Sequence, residues 1–557
     1  MLLLRAMPKH LGLMIGVGVL VPCLVVVFVM MYTSNYMDEQ GSGDGMEMLF
    51  GDHSARDEER PIRKSYAYQK QLEQEQIDLE ERVNVDVDEN VRDFEKLDYR
   101  EALKKTADHR RVVMVKFCEA GRVDGAINFH ETSVAGNEID NILYVTTDIR
   151  VCAELWKLEI KCHVMEEDFM TFNNSQVIET ERSVGKKVAI ARIKLILKAI
   201  TSGYTILFTD LKTLYMKNPF EHIDCADDCD VALSVDNISL NFANWAIHLA
   251  KPRRSTVYMY ARLLTIMGTM SVVSTKDVLN QVVGEMTALS RIRVEYLSAE
   301  KFSPASFYFL VRRFQDEENR CRSCVAVFED RGLSRADQIY QLKEVHLWNA
   351  NFDEYYTSRR RSYILYENVW RYGERRSIVE ELTALRNALA IGQVLGRIVI
   401  LPKFHCPHSI FENKFCGLCD LIKMANFDDQ FGDMYRENTF LDHPKVSREV
   451  RRSKTDYHYI GKKLPTDVDW DPDCKIKPRH NIIFLTPKHP RGLKSEELEA
   501  IFKGESSYSL RFHSLYEGFA GFDDERTKAD FNRKIKRGFV VTSPIRELID
   551  DKTFEIL

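Results

Sequence analysis

The chain has 557 residues, 45% of them hydrophobic and 29% charged, with a formal net charge of -6 and a pI near 6.2. That length holds a tether and two folded domains of about 100 to 200 residues each, and the composition is that of a chain that buries a core. The acidic balance, with no helix-turn-helix, zinc-finger or RNA-binding motif, argues against a dedicated nucleic-acid binder, which carries a basic excess.

From Leu11 to Tyr32 the sequence reads LGLMIGVGVLVPCLVVVFVMMY, without a charge. A helix of that length spans roughly 33 Å at about 1.5 Å per residue, enough to cross the hydrocarbon of a bilayer. Pro22 is tolerated in a membrane helix. A cleaved signal peptide would show a shorter apolar core and a small-x-small site. Arg5 and Lys9 precede the segment, and Asp38, Glu39, Asp44 and Glu47 follow it. The positive-inside bias then makes residues 1–10 a cytosolic tail, 11–32 a single-pass type II signal-anchor, and all that follows lumenal.

Residues 33–108 read as a polar stem, passing from GSGDGMEMLFGDHSARDEERP into YQKQLEQEQIDLEERV, where no apolar heptad is sustained. Of the twelve cysteines, Cys23 lies in the span and eleven lie beyond it. Close pairs such as Cys225/Cys229 and Cys321/Cys324 suit disulfides in an oxidising lumen. An odd number leaves at least one thiol outside an internal pair, open to a covalent homo-oligomer. Sequons start at Asn173 and at Asn237.

A first domain, 109–354, opens with short apolar runs that read as buried strands: VVMVKFC (112–118), NILYVTTD (141–148) and KCHVM (161–165). VGKKVAIARIKLILKAITSGY carries helical periodicity, Gly203 stops it, and TILFTD (205–210) is a further strand. Such alternation predicts an α/β fold with a mostly parallel sheet flanked by helices. Ligands in such sheets bind beyond the carboxyl ends of strands, where Asp148 and Asp210 fall. A second, smaller α/β domain, 355–557, holds a long helix ending at Gly396, strands IVILPKF (398–404), NIIFLTP (481–487) and GFVVTSP (538–544), and a helix SEELEAIF (495–502). His405, Cys406, His408, Cys416 and Cys419 between them suffice for zinc, but an oxidising lumen favours a disulfide loop.

The segment GYTILFTDLKTLYMKNPF (203–220) is the most informative. A buried strand running into Asp210 sets a carboxylate at the sheet edge; alone, it reads as a turn cap. The whole segment resembles the nucleotide-diphospho-sugar transferase domain of glycosyltransferase family 77, in which a strand meets Asp-x-Asp and then an (Arg/Lys)-(Asp/Asn)-Pro-Phe turn. Lys217, Asn218, Pro219 and Phe220 match that turn, and Gly203, Tyr204 and Phe208 the lead-in. LTALRNALAIGQVLGRIVILPKFHC is similar to the C-terminal part of the plant arabinosyltransferase-like branch.

The resemblance implies a GT-A-type fold, a nucleotide-sugar donor, a glycan or glycoprotein acceptor, a Golgi setting and retention of anomeric configuration, in a hexosyl- or pentosyltransferase. It further implies that Asp210 lies at the donor ribose and diphosphate, and Asp236 and Asp277 toward the sugar or acceptor. The family's two carboxylates bind Mn²⁺ or Mg²⁺. Here the motif reads Asp210-Leu211-Lys212, and a lysine does not ligate a cation. Three readings stay open: Lys212 neutralises the diphosphate itself; Asp210 holds the metal with another group such as His346 in VHLWNANF; or turnover is lost and the domain is a binding or scaffold module. The family's Asp-Gln-Asp segment stands here as Thr275-Lys276-Asp277, keeping one acid.

Overall fold

The computed structural model describes residues 94, 97–118, 121–165, 181–210, 212–225, 228–236, 242–269, 274–311, 321, 323–367, 377–405, 415–459, 482–485, 492–512 and 514–542, which fall in one unit, Leu79–Leu557. The apolar span 11–32, the stem up to residue 93 and the sequons at 173–175 and 237–239 lie outside these residues. Among the described residues no helix is long and apolar enough to cross a membrane.

The apolar runs form strands where expected. β1 (Val112–Cys118), β2 (Ile142–Thr146), β3 (Cys162–Val164) and β4 (Thr205–Thr209) pair in parallel. β5 (Thr213–Tyr215) leaves for a small sheet, and β6 (Val231–Val235), β7 (Ala243–Ala250) and β8 (Val294–Tyr296) complete a seven-stranded order β3-β2-β1-β4-β7-β6-β8. β7 alone runs antiparallel to its neighbours β4 and β6, so the sheet is mostly parallel. Strands buried on both faces need near-continuous apolar sequence, which is why VVMVKFC and TILFT do not alternate with polar residues.

Side chains one residue apart nonetheless enter opposite cores, as the strand period of two requires. Val113, Val115, Phe117, Ile206 and Phe208 join one core, and Met114 and Leu207 the other. α1 (Tyr99–Thr106) is closed by a capping box between Asp98 and Glu101. α2 (Val123–Phe129) and α3 (Ile149–Trp156) cover the Met114 face. α4 (Glu181–Thr201), α5 (Arg254–Thr269) and α6 (Thr275–Ala288) cover the other through Ile193, Ile196, Leu263 and Val282. After α4 the chain turns at Gly203, whose φ of +82° only glycine adopts without strain. β9 (Phe302–Pro304) and β10 (Ala326–Phe328) join β5 in the order β5-β10-β9.

α7 (Arg335–Glu344) leads to a second sheet. Its strands β11 (Tyr363–Tyr366), β12 (Ile398–Ile400), β15 (Tyr435–Arg436), β16 (Lys454–Tyr459), β17 (Ile482–Leu485) and β19 (Ser509–Phe512) lie in the order β15-β12-β11-β19-β16-β17. Every pair in it is parallel. Two short pairs lie apart: β13 (Phe404–His405) with β14 (Phe415–Cys416), and β18 (Leu493–Lys494) with β20 (Phe519–Gly521). α8 (Ile378–Leu395) carries the core through Leu382, Leu385, Leu389 and Ile391. Ser377 and Glu380 cap its start reciprocally, and Gly396, at φ 61°, ends it. Tyr340 of α7 enters this second core, while Leu342 packs on the first.

Two expectations need correction. The strand expected over 398–404 stops at Ile400, since Pro402 has no N–H to give a ladder. Within 538–544 there is no strand among the described residues, only a bridge between Ile422 and Val541. Phe539 is drawn instead into the aromatic cluster of Phe427 and Phe431. The pairs Cys225–Cys229 and Cys321–Cys324 form as expected, and Cys152–Cys162 forms in addition. Cys416 is in a disulfide, which removes it as a thiolate ligand for zinc, while Cys118 and Cys419 remain thiols.

Candidate functional site

A cavity of about 360 Å³ opens beyond the carboxyl ends of β4 and β6, the place ligands take in open α/β sheets. Asp210, Lys212 and Asp236 all line it, with Asn244 and Trp245 of β7, Lys276 of α6, Arg122, Arg192 of α4, Glu329, Asp330 and Gly332. A smaller, more apolar slot adjoins it, sharing Arg122, Lys212 and Glu329 and walled by Leu214, Phe309, Phe328 and Trp348.

Four acids and four bases face the larger cavity, and the acids have internal partners. Arg192 Nη2 stands 3.0 Å from Asp210 Oδ1, with both side chains largely buried. The Arg192 guanidinium also lies over the Phe117 ring, 5.4 Å from its centroid. Asp236 accepts from Asn244 Nδ2 and pairs with Lys276 Nζ. Glu329 pairs with Arg331 at 3.1 Å. Asp330 accepts from the Ser306 N–H at 2.8 Å and from the Ser306 hydroxyl, and burial pushes its carboxyl pKa up. Burial likewise lowers the Lys276 ammonium, against the nearby carboxylates of Asp277 and Asp330. Lys212 is exposed and has no ion pair to any described residue.

The loop bearing Lys212 is held from below. Lys116, fully buried in β1 beside Thr209 of β4, donates from Nζ to the Asp210 carbonyl at 2.6 Å and the Thr213 carbonyl at 3.0 Å. Its ammonium also sits 3.6 Å from the Phe129 ring centroid. Burial lowers its pKa to about 7, against the Cys118 and Asp210 side chains. The Asp210 N–H donates to the Ala246 carbonyl at 2.9 Å, so backbone bonds fix Asp210 from both sides.

Asp148, Asp277 and His346 do not line the cavity. Asp148 caps α3, accepting from the Arg150 N–H at 3.0 Å and pairing with that guanidinium. Asp277 sits exposed in the first turn of α6, its N–H on the Ser274 hydroxyl. His346, at φ 58°, has Nε2 3.0 Å from the Thr439 carbonyl and its ring edge-on to His443. Arg122, Arg192, Asn244, Glu329 and Asp330 are cavity residues that the sequence left unmarked. For Arg192, the signal was a basic residue inside an apolar helix.

The divalent cation that the resemblance implies needs several hard oxygen donors. Position 212 supplies an ammonium, and the Asp210 carboxylate faces a guanidinium. No group of three or more His, Cys, Asp or Glu gathers among the described residues. These side chains do not fit the ion.

Residues 137–329 match the model of a family described as nucleotide-diphospho-sugar transferase. The chain is 20% identical over 458 residues to arabinosyltransferase XEG113 of Arabidopsis thaliana, covering 72% of this chain and 69% of that one. Among solved structures, the bifunctional glycosyltransferase WbbM is 10% identical over 40% of this chain, which spans 46% of it, with a TM-score of 0.30. The galactosyltransferase LgtC, with donor and acceptor sugar analogues, is 15% identical over 42% of this chain and 92% of its own, with a TM-score of 0.28. The family match covers β4, β6 and the loop between them, the stretch that bears Asp210, Lys212 and Asp236.

Proposed function

We propose that this chain is a glycosyltransferase that moves a sugar from a nucleotide-diphosphate donor to a glycan or glycoprotein acceptor, with retention, as a single-pass type II protein of the Golgi membrane. One observation carries the reading. Asp210 and Lys212 after β4 and Asp236 after β6, two separate stretches of the matched region, line one cavity at the carboxyl ends of its strands. In the reaction the bond from the anomeric carbon to the phosphate oxygen breaks, one to an acceptor oxygen forms, and the acceptor hydroxyl's proton passes to the departing phosphate. The nucleoside diphosphate leaves with the electron pair, so groups that stabilise phosphate charge lower the barrier.

Lys212 faces the leaving diphosphate, Asp210 lies toward the ribose and phosphates, and Asp236 and Asn244 toward the sugar. Lys116 orients the loop from below through two carbonyls. The likeness to an arabinosyltransferase supports a pentose or hexose donor. The charge-free segment Leu11–Tyr32 and the disulfides Cys152–Cys162, Cys225–Cys229 and Cys321–Cys324 support an anchored, oxidising, lumenal setting.

The test is release of nucleoside diphosphate from a panel of UDP-, GDP- and ADP-sugars by the purified full chain, with and without Golgi glycoprotein acceptors. Acceptor-dependent release that Asp236→Ala reduces by about a hundredfold or more is the expected outcome. A second reading, a silent binding or scaffold protein of the same fold, draws on the ion pairs that already engage Asp210 and Asp236. Nucleotide binding without release of any sugar would favour it.

A further inference from the structure

We propose that the donor diphosphate is neutralised by side-chain cations, with Lys212 as the principal contact, and that no divalent metal takes part in donor binding. The proposal rests on the transferase reading and assigns the chemistry of its donor site. Two independent features carry it.

The first is that the carboxylate a metal would use is already bound to a fixed cation. Arg192 stands 3.0 Å from Asp210, and its guanidinium is held by burial and by the Phe117 face. A metal placed on Asp210 would meet this positive charge at short range in a poorly solvated site, where the repulsion is weakly screened. Of the other acids lining the cavity, Asp236 is engaged by Lys276 and Asn244, Glu329 by Arg331, and Asp330 by the Ser306 N–H and hydroxyl.

The second feature is the placement of Lys212. It is exposed, lies at the junction of the large cavity and the apolar slot, and has no ion pair to a described residue. Its backbone is fixed, because Lys116 ties together the carbonyls of Asp210 and Thr213 on either side of it. An ammonium on a fixed loop meets phosphate without reorganising, the condition under which a charge stabilises most. Arg122 lines both cavities with Lys212, and a guanidinium is a group suited to phosphate oxygens.

The experiment is calorimetric titration of the full chain in detergent with UDP, GDP and ADP, each in EDTA and again in Mn²⁺. One diphosphate is expected to bind with the same affinity in both buffers. Lys212→Ala should weaken it by about tenfold or more, Lys212→Arg should retain most of it, and Lys212→Asp should abolish binding in EDTA. Circular dichroism and the melting temperature of each variant report folding, which an exposed position should leave unchanged. Binding that appears only with Mn²⁺, or a Lys212→Ala variant that binds as the unaltered chain does, overturns the proposal and leaves the transferase reading standing. No binding of any nucleotide by a folded chain, with or without Mn²⁺, overturns both.

Discussion

The two large sheets of this protein are built from the same parts and use their buried polar groups differently. In the sheet of β11 to β19 several of those groups brace the surrounding chain. Asn387 of α8 donates to the carbonyls of Leu515 and Tyr516, Arg397 to those of Ser507 and Glu505, and buried Glu381 takes the His405 N–H and ring nitrogen. In the sheet of β1 to β8 the charges gather at the strand ends and face a cavity. Burial of a polar group is therefore no mark of a site by itself; the direction in which the group points is. Lys116 is the intermediate case, a brace of the first kind set directly under the residues of the second.

Four substitutions break or sharpen that contrast. Leu389→Ala empties a fully buried position of the second core and should cost about 2–5 kcal/mol in urea unfolding. Nucleotide affinity of the folded fraction should hold, and a parallel loss of binding would show that the sheets do not act separately. Lys116→Met leaves two buried carbonyls without their donor and should cost about 1–3 kcal/mol. Its pH dependence has a definite sign. With the folded ammonium pKa near 7, below its unfolded value, the unfolded chain holds the extra proton between the two, so stability rises with pH across that window. Lys116→Met should flatten this rise, making its cost larger at pH 9 than at pH 6 in chemical denaturation.

Asp148→Ala removes the cap of α3 and should cost about 1 kcal/mol, with donor binding unchanged because Asp148 does not line the cavity. A loss of nucleotide affinity there would enlarge the site beyond the cavity. Lys212→Ala should move stability by less than about 0.5 kcal/mol, yet abolish most nucleotide-induced stabilisation in a thermal shift.

Much of this fold is legible because strong local signals coincide. TILFTD is apolar, short and preceded by a helix-ending glycine, so β4 and the position of Asp210 follow from the sequence. Ser377, Glu380 and Gly396 mark both ends of α8 for the same reason. The partners within the cavity are not legible, since pairing between Arg192 and Asp210, or Lys276 and Asp236, depends on how helices lie over strand ends. Helical periodicity identifies a buried face, but not which base reaches past it. Lys116 is hidden by its company, a single charge in a run that otherwise specifies a strand. GFVVTSP has the composition of a strand, and tertiary packing of Phe539 decides against it.

The strand order of the second sheet also constrains how it is assembled. β19 lies between β11 and β16, although it follows both in the chain. During synthesis, β11 with β12 and β16 with β17 emerge as two separate halves, each with an unpaired inner edge, until residues 509–512 arrive to join them. Those edges are templates for wrong pairing while they wait. A chain cut short before Ser509 would thus lose far more than its last strand. Its two half-sheets would have no middle, and capture by chaperones or aggregation would be its fate.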